Sequence, residues 1–128
     1  MFSHVSVGTR DLERASRFYD AALGALGYRR TMSEDFGNAW GLEWPEFWVA
    51  PPLEGEANVG NGVHVAFIAP SREAVDRFHA AALAQGGSDA GAPGERDYTP
   101  GYYAAFVRDP DGNKLEAVYL PEVPFPKA

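Results

Sequence analysis

The sequence predicts an α+β domain built from two tandem copies of one β-α-β-β-β unit. The first observation is an internal repeat: residues 4–27 match residues 64–87 without gaps. The second is an alternation of apolar and polar residues at the start of each half, which is typical of a half-buried strand. The third is an apolar stripe at helical spacing that follows each of these strands. The identical pairs include His4 and His64, Val5 and Val65, Glu13 and Glu73, Arg17 and Arg77, Phe18 and Phe78, and Gly27 and Gly87.

The first half contains one predicted helix between predicted strands. Residues 3–8 alternate as a strand, and either Thr9 or Asp11 is suited to cap the helix that we expect over residues 11–26. Gly27 is a suitable stop for this helix. Its apolar stripe consists of Leu12, Ala15, Phe18, Tyr19, Ala22 and Leu26. Further strands are predicted over residues 28–31, 39–42 and 47–50, with a turn over 33–38.

The second half repeats this plan after a linker over residues 51–62, which is rich in turn-forming residues. Ser71 is the predicted helix cap, and a Gly-Gly pair at residues 86–87 is the predicted stop. The predicted helix stripe consists of Val75, Phe78, Ala82 and Leu83. The other predicted elements are strands over residues 63–69, 102–108 and 114–120, a loop over 88–101 and a tight turn over 109–113. We therefore expect one domain over residues 1–128, with modules over 1–52 and 62–120 and a loosely held tail over 121–128.

Composition and charge exclude several classes of function. The chain of 128 residues has 11 basic and 18 acidic residues, a net charge of -7, which argues against a nucleic-acid partner or an anionic membrane surface. Cysteine is absent, so disulfides and thiolate metal sites are excluded. No apolar run reaches the ~20 residues of a membrane helix, and the N-terminus enters a strand pattern without a signal-peptide pattern. We expect a cytoplasmic protein.

Three residues have the chemistry of metal ligands. His4 and His64 occupy matching positions in the two halves, and Glu116 alternates with Leu115 and Ala117 in the last predicted strand. Two imidazoles and one carboxylate form a usual set for Zn, Mn, Fe or Ni. The alternative is that each histidine is a strand residue bonded to a neighbour and that Glu116 faces solvent. Pattern alone leaves both interpretations open.

The two His-Val strands, the two helices, and the segment Asp-Pro-Asp-Gly-Asn-Lys-Leu-Glu over residues 109–116 together resemble the vicinal oxygen chelate superfamily. This group includes glyoxalase I, bleomycin resistance proteins and extradiol dioxygenases. The resemblance implies two βαβββ modules whose curled mixed sheets surround a cleft. It also implies a divalent metal (Zn, Ni, Mn or Fe) held by His4, His64 and Glu116, and a homodimer, in which some relatives share ligands between chains.

One departure from the family pattern concerns the last strand of the first module. In glyoxalase I this strand carries a further glutamate that serves as ligand and base. Here the position holds Trp48 or Phe47, and Glu46 would reach it only through a shifted register. We therefore expect Trp48 to form an apolar wall of the substrate pocket.

The segment over residues 94–103 is the second candidate region. Arg96 is suited to bind a carboxylate or phosphate of a ligand, and Tyr98, Tyr102 and Tyr103 are suited to line a substrate pocket. The alternative is that these aromatic side chains hold the loop in place and that Arg96 is solvated.

Two functions are compatible with these residues. The first is a metal-dependent enzyme of the lyase, isomerase or dioxygenase type that chelates two neighbouring oxygens of a small substrate, with Glu116 as the catalytic residue. The second is a non-catalytic small-molecule binding protein of the bleomycin-resistance type, in which metal is absent. The three retained ligands favour the enzyme. The sequence shows no basic cluster that would indicate glutathione as a co-substrate.

Overall fold

The computed structural model of the chain describes residues 1–127, and each half has the predicted β-α-β-β-β order. Ala128, the last residue of the predicted tail, lies outside the described residues. The two sheets have the strand orders β1-β4-β3-β2 and β5-β8-β7-β6, which confirms the α+β class with two modules. The elements are β1 (Val5–Gly8), α1 (Leu12–Gly24), β2 (Arg29–Glu34), β3 (Gly37–Gly41), β4 (Phe47–Ala50), β5 (His64–Ile68), α2 (Arg72–Ala84), β6 (Ser88–Glu95), β7 (Tyr103–Arg108) and β8 (Lys114–Tyr119).

The helices begin directly after predicted caps, and α1 ends at Gly24, two residues before its predicted end. Asp11 caps α1 by accepting a hydrogen bond from the Arg14 backbone N–H at 3.0 Å, and Ser71 caps α2 through the Ala74 N–H at 3.1 Å. Gly27 has a φ of 97°, a left-handed conformation that few other residues adopt without strain. Neither helix, among the described residues, has the length and apolar character needed to cross a membrane.

Three local predictions were wrong. Residues 88–101 do not form a loop throughout, because Ser88–Glu95 is the edge strand β6. Its pairing with β7 is interrupted by two register shifts, so it accommodates glycine and proline that would weaken a regular strand. The predicted turn over 33–38 is shorter, since β2 and β3 extend into it. Leu83, which was predicted to belong to the apolar stripe of the second helix, is 41% exposed. Ala74, which was not assigned to that stripe, is buried.

The core lies between the two modules. Buried side chains of both helices and of the inner faces of both sheets form one cluster. Within it, the rings of Phe47 on β4 and Phe67 on β5 meet edge to face, with centroids 5.0 Å apart. The helix-covered faces of the two sheets therefore share one core. The opposite face of each sheet, which we call its open face, is left outside this core.

The turn at residues 109–113 joins the two modules through buried carboxylates. Asp109 accepts hydrogen bonds from the Tyr19 hydroxyl at 2.5 Å and from the backbone N–H groups of Asp111 and Asn113, each at 2.9 Å. The Asn113 amide also donates to Asp109 at 2.9 Å and to the Gly8 carbonyl at 3.0 Å. Burial, and then the charge of Asp109, raise the pKa of Tyr19 well above its usual value, so its hydroxyl remains a donor.

Asp111 provides the second connection between the modules. Its carboxylate accepts hydrogen bonds from the Thr9 hydroxyl at 2.5 Å, the Arg10 backbone N–H at 2.9 Å and the Arg14 guanidinium at 3.2 Å. All three donors belong to the first module. The turn thus fixes the end of β7 and the start of β8 against the start of α1.

Candidate functional site

The structure brings His64 and Glu116 together on the open face of the second sheet. β5 and β8 are parallel, and Ala66 lies opposite Glu116. Because alternate residues of a strand share a face, His64 and Glu116 lie on the same side of the sheet. His64 Nε2 is 3.2 Å from Glu116 Oε1. The side chain of His64 is 44% exposed and that of Glu116 only 3%.

Tyr102 completes this group from the segment that precedes β7. Its hydroxyl donates a short hydrogen bond to Glu116 Oε2. Burial, and then this hydrogen bond, raise the pKa of Tyr102 above its usual value, so the hydroxyl remains a donor to Glu116. Glu116 is therefore a buried carboxylate with one oxygen toward an imidazole and the other toward a phenol, and not a solvent-facing strand residue.

His4 lies away from this pair within the same chain. It precedes β1, and its Nδ1 lies 2.9 Å from the Ser3 hydroxyl. It lines a cavity of ≈ 250 Å³ that is formed by residues of both modules, among them Phe47, Val65 and Ile68. Within the described part of the chain, no three His, Cys, Asp or Glu side chains come close enough to hold a metal ion. One chain thus assembles two of the three proposed ligands.

Trp48 occupies the position in the first module that Glu116 occupies in the second. Ser6 lies opposite Trp48 in the parallel pair β1 and β4, as Ala66 lies opposite Glu116 in β5 and β8. Ser6 and Ala66 are also equivalent in the sequence repeat. The ring of Trp48 stacks on Phe36, which is 66% exposed, with centroids 5.8 Å apart and an angle of 22° between the planes. An aromatic pair therefore stands where a second carboxylate would complete a symmetric site.

The predicted pocket residues near β7 separate onto two faces. The Tyr98 ring meets the ring of Tyr102 edge to face at 5.0 Å, so both lie near Glu116. Tyr103, the next residue along β7, points to the helix side and donates to Asp76 of α2 at 2.7 Å. The strand alternation that brings Tyr102 to Glu116 thus takes Tyr103 away from it.

Two residues of this face were not singled out in the sequence. Phe106 of β7 lies opposite Glu116 in the antiparallel pair with β8, and Lys114 of β8 lies two residues before Glu116 and on the same face. Lys114 Nζ is 5.4 Å from the Phe106 ring centroid, and the Arg96 guanidinium is 5.5 Å from it on the same ring. The alternation of residues in β8 was enough to place Lys114 on the same face as Glu116. To place Phe106 beside Glu116, one has to know how β7 and β8 pair.

Comparison with known proteins gives a consistent result for sequence and fold. Residues 1–117 match the family model of the Glyoxalase/Bleomycin resistance protein/Dioxygenase superfamily. The crystal structure of a glyoxalase/bleomycin resistance protein from Albidiferax ferrireducens is 41% identical, covers 94% of this chain and 99% of its own, and superposes with a TM-score of 0.86. No curated protein matches the chain.

Two more distant structures have the same fold. A putative glyoxalase from Bacillus halodurans is 25% identical over 94% of this chain and 96% of its own, with a TM-score of 0.71. Lactoylglutathione lyase from Agrobacterium tumefaciens is 18% identical over 93% of this chain and 90% of its own, with a TM-score of 0.65. The second of these likenesses concerns the fold alone.

Proposed function

Because the chain belongs to the glyoxalase/bleomycin resistance protein/dioxygenase superfamily, we propose that it is an enzyme that uses a divalent metal ion on a small substrate with two neighbouring oxygens. The observation that carries this proposal is the buried Glu116 carboxylate in contact with His64 on an open sheet face. Burying a carboxylate is costly unless a partner offsets its charge. A divalent cation is such a partner, and imidazole with carboxylate is a donor pair that Zn, Ni, Mn and Fe accept.

The donor set fits a metal when two copies of the chain are considered. His64 and Glu116 supply two ligands, and within the described residues His4 of the same chain does not join them in a group of three. We propose that the chain forms a homodimer in which His4 of one subunit joins the partner's His64 and Glu116. The open faces support this arrangement, because they point away from the shared core and β1 and β5 are edge strands of their sheets.

The side chains around Glu116 have distinct roles in this proposal. The metal, when bound, supplies a Lewis acid that stabilises negative charge on the substrate oxygens. Tyr102 holds one oxygen of Glu116 by a hydrogen bond and keeps the carboxylate oriented toward His64. Glu116 is the candidate group for accepting a substrate proton, since Tyr102 remains protonated. Tyr98 packs edge to face against Tyr102 and so supports its position.

Replacing Glu116 by Gln is expected to lower metal affinity by about two orders of magnitude or more, since an amide is a poor ligand of nearly the same shape. Equilibrium dialysis of each protein against Zn, Ni, Mn and Fe, followed by elemental analysis, would measure this. Glu73→Gln on the surface of α2 is the matched control, and its affinity should equal that of the original protein. Equal affinity in the Glu116 variant would contradict the proposal.

A second candidate function is a small-molecule binding protein without turnover. It is favoured by Trp48, which stacks on the exposed Phe36 at the position equivalent to Glu116. A partly exposed aromatic pair is a suitable surface for a planar ligand. In this alternative the first sheet supplies the ligand contact and metal is dispensable.

The binding function predicts that Trp48→Ala weakens the binding of bleomycin by about 1–3 kcal/mol, because the apolar contact with the ring is lost. Isothermal titration calorimetry with metal-free drug and protein would measure the change. Trp44→Ala is the control, since Trp44 is exposed in the segment between β3 and β4. Absence of binding by the unaltered protein, or equal losses in both variants, would remove this alternative.

A further inference from the structure

The open face of the second sheet carries positive charge arranged around one aromatic ring. The Arg96 guanidinium lies 5.5 Å and Lys114 Nζ 5.4 Å from the centroid of the Phe106 ring. The imidazole of His64 lies 6.3 Å from the same ring. We call Arg96, Phe106 and Lys114 the cationic platform. It borders the His64 and Glu116 pair and so adjoins the proposed metal site.

The position of Arg96 is fixed by the irregular strand β6. Its Nη2 donates to the Ala92 carbonyl at 2.8 Å. A Cβ at Gly91 would lie 3.2 Å from Nη2, and one at Gly94 would lie 3.2 Å from Nη1. Because neither glycine has a side chain, the guanidinium has space to lie against β6 and over the Phe106 ring. An arginine held in place in this way loses little side-chain entropy when it binds a ligand.

The two cations of the platform lack an acidic partner within the described residues. Neither Arg96 nor Lys114 forms an ion pair there, although the chain carries a net charge of -7. The arginines that do form ion pairs are Arg10, Arg14, Arg17, Arg30 and Arg72. In an acidic protein, two unpaired cations on one ring provide a local surface of opposite charge that attracts anions.

The acidic group that faces the platform is Glu116. Its two oxygens are engaged by His64 and by the Tyr102 hydroxyl. The positive charge of Arg96 also acts on Tyr102, because it opposes part of the rise in the Tyr102 pKa. The repulsion between Glu116 and an incoming anion is therefore reduced by the groups that already bind this carboxylate.

We propose that the cationic platform binds an oxyanion group of the substrate, a carboxylate or a phosphate, next to the two oxygens that the metal chelates. Arg96 presents a planar pair of N–H donors, which matches two oxygens of such a group, and Lys114 adds a point charge. The ring of Phe106 is buried and contacts both cations, which holds them in place. This inference rests on the proposed function for the identity of the neighbouring site, but the anion site itself exists without metal.

The test is an NMR titration of metal-free protein with sodium phosphate and, separately, sodium acetate at constant ionic strength. We expect saturable shifts at the Arg96 Nε–H, the Lys114 side chain and the Phe106 ring with at least one anion. The anion with the lower Kd identifies the preferred group. Arg96→Met and Lys114→Met should each raise that Kd about fivefold, in the range for partly exposed charges. Arg17→Met, which removes an exposed cation of α1, should leave it unchanged.

Two results would overturn the inference. One is the absence of saturable shifts at the platform in the unaltered protein, which requires no variant to fold. The other is an equal rise of Kd in Arg17→Met, which would mean that general charge attraction governs binding. Metal affinity, measured on the same samples, tests the proposed function separately. Anion binding without metal binding would support the cationic platform and contradict the proposed metal-dependent enzyme. Metal binding without anion binding would support the metal-dependent enzyme and contradict the platform.

Discussion

Mixing the His4→Ala and His64→Ala variants is expected to restore metal binding that each variant has lost alone. In a homodimer with shared sites, each site takes its first histidine from one subunit and its second from the other. The mixed dimer then holds one site without either histidine and one site with both. If subunits exchange at random, half of the dimers are mixed, and metal content recovers to about one quarter of the original value.

The physical basis of this expectation is the set of ligands that one chain brings together. His64 and Glu116 lie on the open face of the second sheet, whereas His4 lines a cavity formed by residues of both modules, among them Phe47 and Phe67. Within the described residues of one chain, no three His, Cys, Asp or Glu side chains are close enough to hold a metal ion. Metal–ligand bonds are about 2 Å long, so the third ligand has to come from a second chain in this proposal.

A second mixture provides the control for the first. His64→Ala and Glu116→Ala both remove ligands from the same half of the site, so in their mixed dimer every site lacks one ligand. Metal content should stay at the level of the separate variants. Native mass spectrometry of differently tagged chains would confirm exchange, and elemental analysis would measure metal. Complete exchange without recovery in the first mixture would contradict a site shared in this way.

The internal repeat explains how much of the site was predictable. Because the second module copies the first, the sequence placed His4 with His64 at equivalent strand positions, and the structure gives Trp48 and Glu116 equivalent positions as well. Local alternation separated Glu116 from Leu115 and Ala117, and in the structure those two residues lie in the shared core while Glu116 lies on the open face. These are short-range properties of a strand, which a sequence pattern records directly.

The parts that the sequence did not predict depend on contacts between distant segments. β6 is a strand because it pairs with β7. Its own sequence does not indicate a strand, since glycine and proline are depleted in strands. Tyr103 was grouped with Tyr102 by proximity in sequence, yet it contacts α2. The separation of His4 from His64 follows from how the two modules pack, which the repeat leaves open.

Replacing Asp109 by Ala is expected to lower the free energy of unfolding by about 3–5 kcal/mol, because several buried donors lose one common acceptor. The Tyr19 hydroxyl and the backbone N–H groups of Asp111 and Asn113 all donate to this carboxylate. Small domains have a total stability of about 5–15 kcal/mol, so the loss is a large fraction of it. Urea denaturation followed by circular dichroism would measure the change.

Two further variants separate the role of Asp109 from that of its neighbours. Tyr19→Phe removes one donor and leaves the other donors of Asp109 in place, so its cost should be about 1 kcal/mol. Asp35→Ala, in the exposed turn between β2 and β3, should change stability by less than about 0.5 kcal/mol. A cost below about 1 kcal/mol for Asp109→Ala would contradict the assigned role. Because the same turn leads directly into β8, the contact between the modules also anchors the start of the strand that carries Glu116.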